Sequence, residues 1–382
     1  MNKKGLSIVL VGYLVKYPPV LSFIQAATDL GYHITVFAAG NNSDMNSYKG
    51  YNFKKVNFVD VIGEYESNIA LPLKMLRMEK IHSRLWNILS TDQYKNDVIV
   101  AVSEISVKHL GMRLLTREYI LYQLELVESF DLVPHSKLLR LDEHKLGKGA
   151  KAVIVCEYNR AHITKTWWKL DTLPYILKNK PYLPDETLGD LPEHILSIQN
   201  EIINKAKGRK IVLYQGVVNK QRPVDKIVKV LGDYGNEYFS VLMSDTNPVF
   251  SNETPLNYMY VPFVEPPYHL AVTSLAHIGL LMYVPGGRSS YSELNPVYCA
   301  PNKIWEYAKF GVPMIGNDNP GLQNEFEKNG IGLCMPSINE EDVIDTINQV
   351  ESKYTMMKRN TIHFYKNYDV KTVVEKILNE SI

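Results

Sequence analysis

Short, unbroken apolar runs alternate with helix-period segments along most of the chain. Residues 6–11, 33–38, 97–102, 119–126, 152–156, 210–216, 238–243, 277–283, 312–315 and 331–335 are runs of this kind, with further strand-like material at 53–62. Runs of that length with no polar alternation predict strands buried on both faces of a parallel sheet. Between them, residues 20–30, 69–89, 106–116, 133–148, 193–207, 224–231, 268–275, 301–310, 340–351 and 354–382 carry the spacing of helices. A βα rhythm that starts at the first residues and resumes after a break predicts an α/β protein with two doubly wound domains. The break lies at 181–192, where Pro181, Pro184, Gly189 and Pro192 stand among acidic residues.

The stretch 300–315 carries the densest chemistry. Pro301 suits a first helical turn, Gly311 a left-handed cap, and Pro313 forbids continuation. Lys303 stands in that first turn, where a cation opposes the helix dipole by a few tenths to roughly 1 kcal/mol. A bound anion would reverse the sign. Glu306, three residues on, shares the face of Lys303, and a carboxylate there accepts hydrogen bonds from a diol such as ribose. A phosphate cation beside a ribose acceptor points to a nucleotide; the alternative is a solvated Lys–Glu pair on a surface helix. Upstream, the strand 210–216 ends in Gly216, and Arg222 before the next helix reads on its own as a helix-flanking surface charge.

Composition narrows the class. The 382 residues are 45% hydrophobic and 22% charged with a net charge of +1, which excludes a dedicated nucleic-acid binder. Cys156, Cys299 and Cys334 have no CxxC spacing, so they read as reduced thiols in a cytoplasm and not as a zinc or disulfide framework. The apolar run 6–11 is too short for a signal or a membrane helix. Residues 69–89 are amphipathic, with Lys74, Arg77, Lys80 and Arg84 on the polar side; such a helix covers a sheet edge or lies on an anionic membrane. The basic, aromatic segment Lys165-Thr166-Trp167-Trp168-Lys169 reads as lipid contact, acceptor groove or packing.

Pro301-Asn302-Lys303-x-x-Glu306-Tyr307 followed by Gly311-Val312-Pro313 resembles the donor-site motif of GT-B glycosyltransferases. The closest likeness is to the large retaining family that builds bacterial polysaccharides and glycolipids. The resemblance implies two Rossmann-like domains facing a cleft: an acceptor-binding domain at 1–185, a donor-binding domain at 186–361, and a last helix near 362–382 crossing back onto the first. It implies that Glu306 holds the donor ribose, that Asn302, Lys303 and Tyr307 stand at the donor, and that Arg222 after Gly216 clamps the diphosphate. It places Gly12 in a loop at the cleft floor; a plain tight turn is the other reading. Several positions depart from the family. The Arg often found directly after the glycine is Val217, the second Glu is Tyr298, and Tyr-x-x-His-Glu-Leu is replaced by Tyr122-Gln123-Leu124-Glu125-Leu126. Either Glu125 takes the His position or one residue is missing there, a polar strand end without chemistry being the other reading, and Asn295 is the candidate for a contact to sugar hydroxyls. No D-x-D motif occurs, so neither metal nor cofactor is expected. The implied activity is transfer of a sugar from a nucleotide donor to a lipid-linked or saccharide acceptor, in the cytoplasm or peripheral to the inner membrane. The alternatives are a nucleotide-sugar 2-epimerase of the same fold and a non-catalytic binding subunit.

Overall fold

The computed structural model describes residues 3–39, 51–63, 71–133, 139–183, 190–234, 236–248, 250, 255–286 and 292–382. The expected surface loop at 41–50 and residues 184–189 of the predicted domain boundary lie outside them. Two compact units form: Met1–Asp185 with Ser290–Asn295 and Asp369–Ile382, and Glu186–Ser289 with Pro296–Tyr368.

The first unit is built on a parallel sheet. Its strands are β1 (Leu6–Tyr13), β2 (Ile34–Ala39), β3 (Val56–Asp60), β4 (Val98–Val102) and β5 (Tyr119–Tyr122), then, beyond a short antiparallel pair β6 (Phe130–Asp131) and β7 (Arg140–Leu141), β8 (Ala152–Val155) and β9 (Tyr175–Ile176). Their order is β3-β2-β1-β4-β5-β8-β9. All five residues of β4 are buried, the signature of a strand covered on both faces. On one face Leu85, Trp86, Val107, Leu110 and Trp168 form the core. On the other, Phe23 of the helix Pro18–Asp29 meets the Tyr122 ring at 5.7 Å. The same helix packs against the C-terminal helix Val370–Ser381. Asp369 starts that last helix by accepting from the Lys371 and Thr372 amides, and Tyr175 donates to Glu380 at 2.8 Å.

Several elements differ from the sequence reading. The helix expected over 133–148 is instead the pair β6–β7 followed by a short helix Glu143–Gly149, which Asp142 caps through the Lys145 amide; residues 134–138 lie outside the description. Leu141, at helical spacing, serves a strand because β7 takes its partner from β6 and not from its own neighbours, while Leu146 stays in the short helix. The strand expected over 119–126 stops at Tyr122. Residues 354–382 form two helices, Tyr354–Asn367 and Val370–Ser381, broken where Asp369 caps the second. Trp168 is fully buried, its indole donating to the carbonyls of Val127 and Glu128, so it is a packing residue and not a lipid contact.

The second unit repeats the plan with β10 (Lys210–Gln215), β11 (Tyr238–Ser244), β12 (Tyr258–Pro262), β13 (Ile278–Leu281), β14 (Met314–Asn317) and β15 (Gly332–Met335), in the order β12-β11-β10-β13-β14-β15. The helix Val224–Asp233 buries Val224, Ile227, Val228 and Leu231, the i, i+3, i+4, i+7 stripe that its sequence shows. In both units the strand order reverses beside the first strand. The crevice outside the carboxyl ends of the strands at such a switch point is where open α/β sheets take ligands.

At the opposite, amino end of the second sheet, the carboxylate of Glu351 gathers His277 Nε2 at 2.8 Å, Lys210 Nζ at 3.0 Å and the Tyr238 hydroxyl at 3.2 Å. Burial works to raise the Glu351 carboxyl, but the bonds from Lys210 and His277 prevail and hold it below the ordinary value of 4.5. Burial lowers His277 below the usual 6.5, with Glu351 opposing. Both depressed groups stabilise the folded state at neutral pH, and both contributions are lost as pH falls, His277 first and Glu351 below it. The melting temperature is therefore expected to fall on acidification from pH 7 to pH 4. Glu351→Gln is expected to lower it at pH 7 and to flatten the decline below pH 4.5, as read by calorimetry across that range.

Candidate functional site

Gln215 ends β10 and Gly216 follows it with φ +117, a conformation that favours glycine. The space also demands glycine: a Cβ here would stand 2.7 Å from Lys303 Cε and 2.8 Å from Nζ. The lysine stem thus lies across the bare backbone at the strand end. Lys303 Nζ donates to the Tyr283 hydroxyl at 3.2 Å and sits 5.5 Å from the ring centroids of both Tyr283 and Tyr214. From the segment after β10, the Arg222 guanidinium covers the Tyr283 ring at 3.9 Å, and one of its N–H groups donates to the Gln221 carbonyl. Tyr283 lies just beyond β13, the neighbour of β10 across the switch point. Two cations therefore meet around one aromatic ring, and among the described residues neither makes an ion pair. Cations left unpaired beside aromatic faces are prepared for an anion.

Glu306 lies one turn along the helix Lys303–Lys309. Gln215 Nε2 donates to its Oε2, and His269 Nε2 stands 3.4 Å from its Oε1. Thr273 in turn donates to Gln215 Oε1 at 2.7 Å. Burial pushes the Glu306 carboxyl up, but His269, Lys303 and Gln215 together pull it below the ordinary carboxylate value, so it is ionised. That helix has only seven residues, and Asn302 before it makes no side-chain capping bond. The site's positive field therefore rests on Lys303 and Arg222 more than on a helix dipole.

Sequence reasoning placed Arg222, Gly216, Lys303 and Glu306 together, and the structure brings all four to the carboxyl end of the second sheet. Tyr307 is a correction. It is fully buried, its hydroxyl donates to the Leu213 carbonyl at 2.9 Å, and its ring fills the space where Gly279 lacks a side chain. It braces the helix against the sheet and offers no surface to a ligand. Asn295 belongs to the first unit, where its Oδ1 accepts from the Leu126 amide and its Nδ2 donates to Glu125, both at 2.8 Å. Arg160 completes this cluster, donating to the carbonyls of Leu124 and Asn295 and lying 3.7 Å from Glu125. Gly12 is not in a loop: it is the penultimate residue of β1, against the Tyr17 ring.

Tyr214, Gln215, His269, Thr273 and Tyr283 were missed from sequence. Tyr214, Gln215 and Tyr283 carried one legible signal, their position at the carboxyl ends of predicted strands. His269 and Thr273 carried only their i, i+4 spacing on a short helix, His269–Thr273.

No protein-family model and no curated protein matches the chain. Solved structures do. A sucrose-phosphate synthase from Thermosynechococcus elongatus is 13% identical, with 98% of this chain and 95% of that one covered and a TM-score of 0.62. The Anabaena protein Alr3699/HepE in complex with UDP is 12% identical over 99% of each chain, with a TM-score of 0.64. A putative UDP-N-acetylglucosamine 2-epimerase from Listeria monocytogenes is 10% identical over 100% of this chain and 96% of that one, with a TM-score of 0.61. At such identities the likeness is one of architecture, and the architecture is that of the GT-B fold: two Rossmann-like units, each a parallel sheet wrapped in helices.

Proposed function

We propose that the protein is a retaining glycosyltransferase that takes a sugar from a nucleoside-diphosphate donor. The observation that carries this reading is the pairing, in one unit, of two cations without a carboxylate partner and an ionised Glu306 one turn away. Arg222 and Lys303 meet the charge that grows on the departing diphosphate, and Glu306 takes the ribose hydroxyls. In front-face attack the donor phosphate itself accepts the acceptor's proton, so no strong protein base is needed. The second unit holds the donor. The first takes a lipid-linked or saccharide acceptor, with the Glu125 carboxylate, 40% exposed, available to a sugar hydroxyl. The complexes of HepE with UDP and with UDP-glucose support a uridine nucleotide as donor.

The acceptor side also suggests where the protein works. The amino half of the helix Leu71–Leu89 exposes Leu73, Met75 and Leu76 at 59%, 39% and 69%, interleaved with Lys74 and Lys80, while its other half buries Ile81, Leu85, Trp86 and Leu89. Among the described residues no helix is long and apolar enough to cross a membrane. This exposed half suits contact with anionic lipid at the inner membrane surface, in a pathway of bacterial surface polysaccharide synthesis.

A second reading, a nucleotide-sugar 2-epimerase, is favoured by the likeness to the Listeria protein. Incubation with UDP-N-acetylglucosamine alone separates the two: conversion to the 2-epimer sinks the transferase reading, and release of UDP only when a glycan or lipid acceptor is added supports it. In titration calorimetry with UDP, Arg222→Ala and Lys303→Ala are each expected to weaken binding roughly tenfold to a hundredfold, the range for a lost bond to a charged group. Gly216→Ala is expected to weaken UDP by a similar factor, because its methyl displaces the Lys303 stem; unchanged affinity would detach that lysine from the site. In sedimentation with phosphatidylglycerol vesicles, Leu73→Ser with Leu76→Ser is expected to abolish most of the bound fraction.

A further inference from the structure

Glu306 is held by more than its own helix. We infer that His269, Gln215 and Thr273 form a positioning clamp that aims the Glu306 carboxylate at both ribose hydroxyls and so makes this site selective for ribonucleotides over deoxyribonucleotides. The inference rests on the reading of Glu306 as the ribose acceptor and extends it to residues that touch no ligand.

The hydrogen-bond directions in the clamp follow from chemistry. An ionised carboxylate only accepts, so the Gln215 amide must turn its Nε2 toward Glu306 Oε2. Its Oε1 then faces Thr273 and needs a donor, which the Thr273 hydroxyl supplies at 2.7 Å. His269 takes the other oxygen: Nε2 faces Oε1 at 3.4 Å, whereas Nδ1 is buried with no partner. Each carboxylate oxygen thus has one protein donor on its buried side. A carboxylate offers about four lone-pair sites, so roughly one per oxygen remains open, the number that a vicinal diol fills. His269 and Thr273 lie four apart on the helix His269–Thr273, on one face, and Gln215 ends β10. The clamp therefore fixes the carboxylate plane from two separate elements. Without it the Glu306 side chain loses its aim, and each hydroxyl finds a wandering acceptor.

The test compares UDP with 2′,3′-dideoxy-UDP and with inorganic pyrophosphate by titration calorimetry on the full chain. Wild-type protein is expected to bind UDP about tenfold or more tighter than the dideoxy nucleotide. His269→Ala and Gln215→Ala are expected to bring that ratio to within about threefold by weakening UDP alone, with dideoxy-UDP and pyrophosphate unchanged. His269→Gln, which returns a donor near the Nε2 position, is expected to restore most of the ratio. An unchanged ratio in the alanine variants, or an equal loss for all three probes, overturns the clamp while leaving the donor reading intact. A wild type that binds both nucleotides equally overturns the clamp together with the ribose role of Glu306.

Discussion

Glu306 is an ionised carboxylate from which most water has been excluded, and its solvation has to come from the protein. Burial alone drives such a group toward its neutral form. Here two donors and a nearby ammonium reverse that preference. The condition is demanding, because the donors come from different parts of the unit: Gln215 from the end of β10, His269 from the helix after β12, and Lys303 from the helix of Glu306 itself. The sheet order and the packing of Tyr307 against Gly279 have to be correct before the carboxylate can remain charged. An unpaired buried charge is among the costlier defects a fold can carry, so this network ties the integrity of the unit to the readiness of the site.

The cations beside it obey the opposite rule. Arg222 and Lys303 lean on Tyr283, and among the described residues neither lies within ion-pair distance of a carboxylate, Lys303 acting on Glu306 only at longer range. Aromatic faces and a phenolic oxygen orient them without neutralising them, so their charge remains available. An acidic residue in place of Tyr283 would form a comfortable ion pair and close the site to phosphate. Charge satisfied at Glu306 and charge left available at Arg222 and Lys303, side by side, separates a nucleotide pocket from a surface salt bridge. In the first unit the same economy of partners works differently: Arg160 and Asn295 bind Glu125 and the backbone of Leu124 and Leu126, which anchors a distant piece of sequence to the end of β5.

Much of this was legible in the amino-acid order. Unbroken, β-branched apolar runs such as 98–102 read as strands covered on both faces, and the βα rhythm on either side of residues 181–192 pointed to two doubly wound sheets. Lys303 stood out because a cation in a first helical turn opposes the dipole unless an anion is present, Glu306 because it shares the face of Lys303, and Gly216 and Arg222 through the family resemblance. The pattern failed where local spacing was ambiguous. Leucines at 138, 139, 141 and 146 fit a helix by periodicity, yet residues 140–141 pair as a strand. Tyr307 carried the family motif but serves the core.

Local order thus determined the secondary structure, the two sheets and the charged residues of the site, since helix and strand periods, glycine freedom and dipole conflicts are all properties of near neighbours. Only the tertiary structure decided the partners. That His269, Thr273 and Gln215 converge on Glu306, that Tyr283 stacks under Arg222, and that Asn295 binds Glu125 are contacts between distant residues, such as Gln215 with Thr273 at 58 positions and Asn295 with Glu125 at 170. Hydrogen bonds reach about 3 Å and leave no trace in sequence spacing, so they exist only once the sheet has brought its strand ends together.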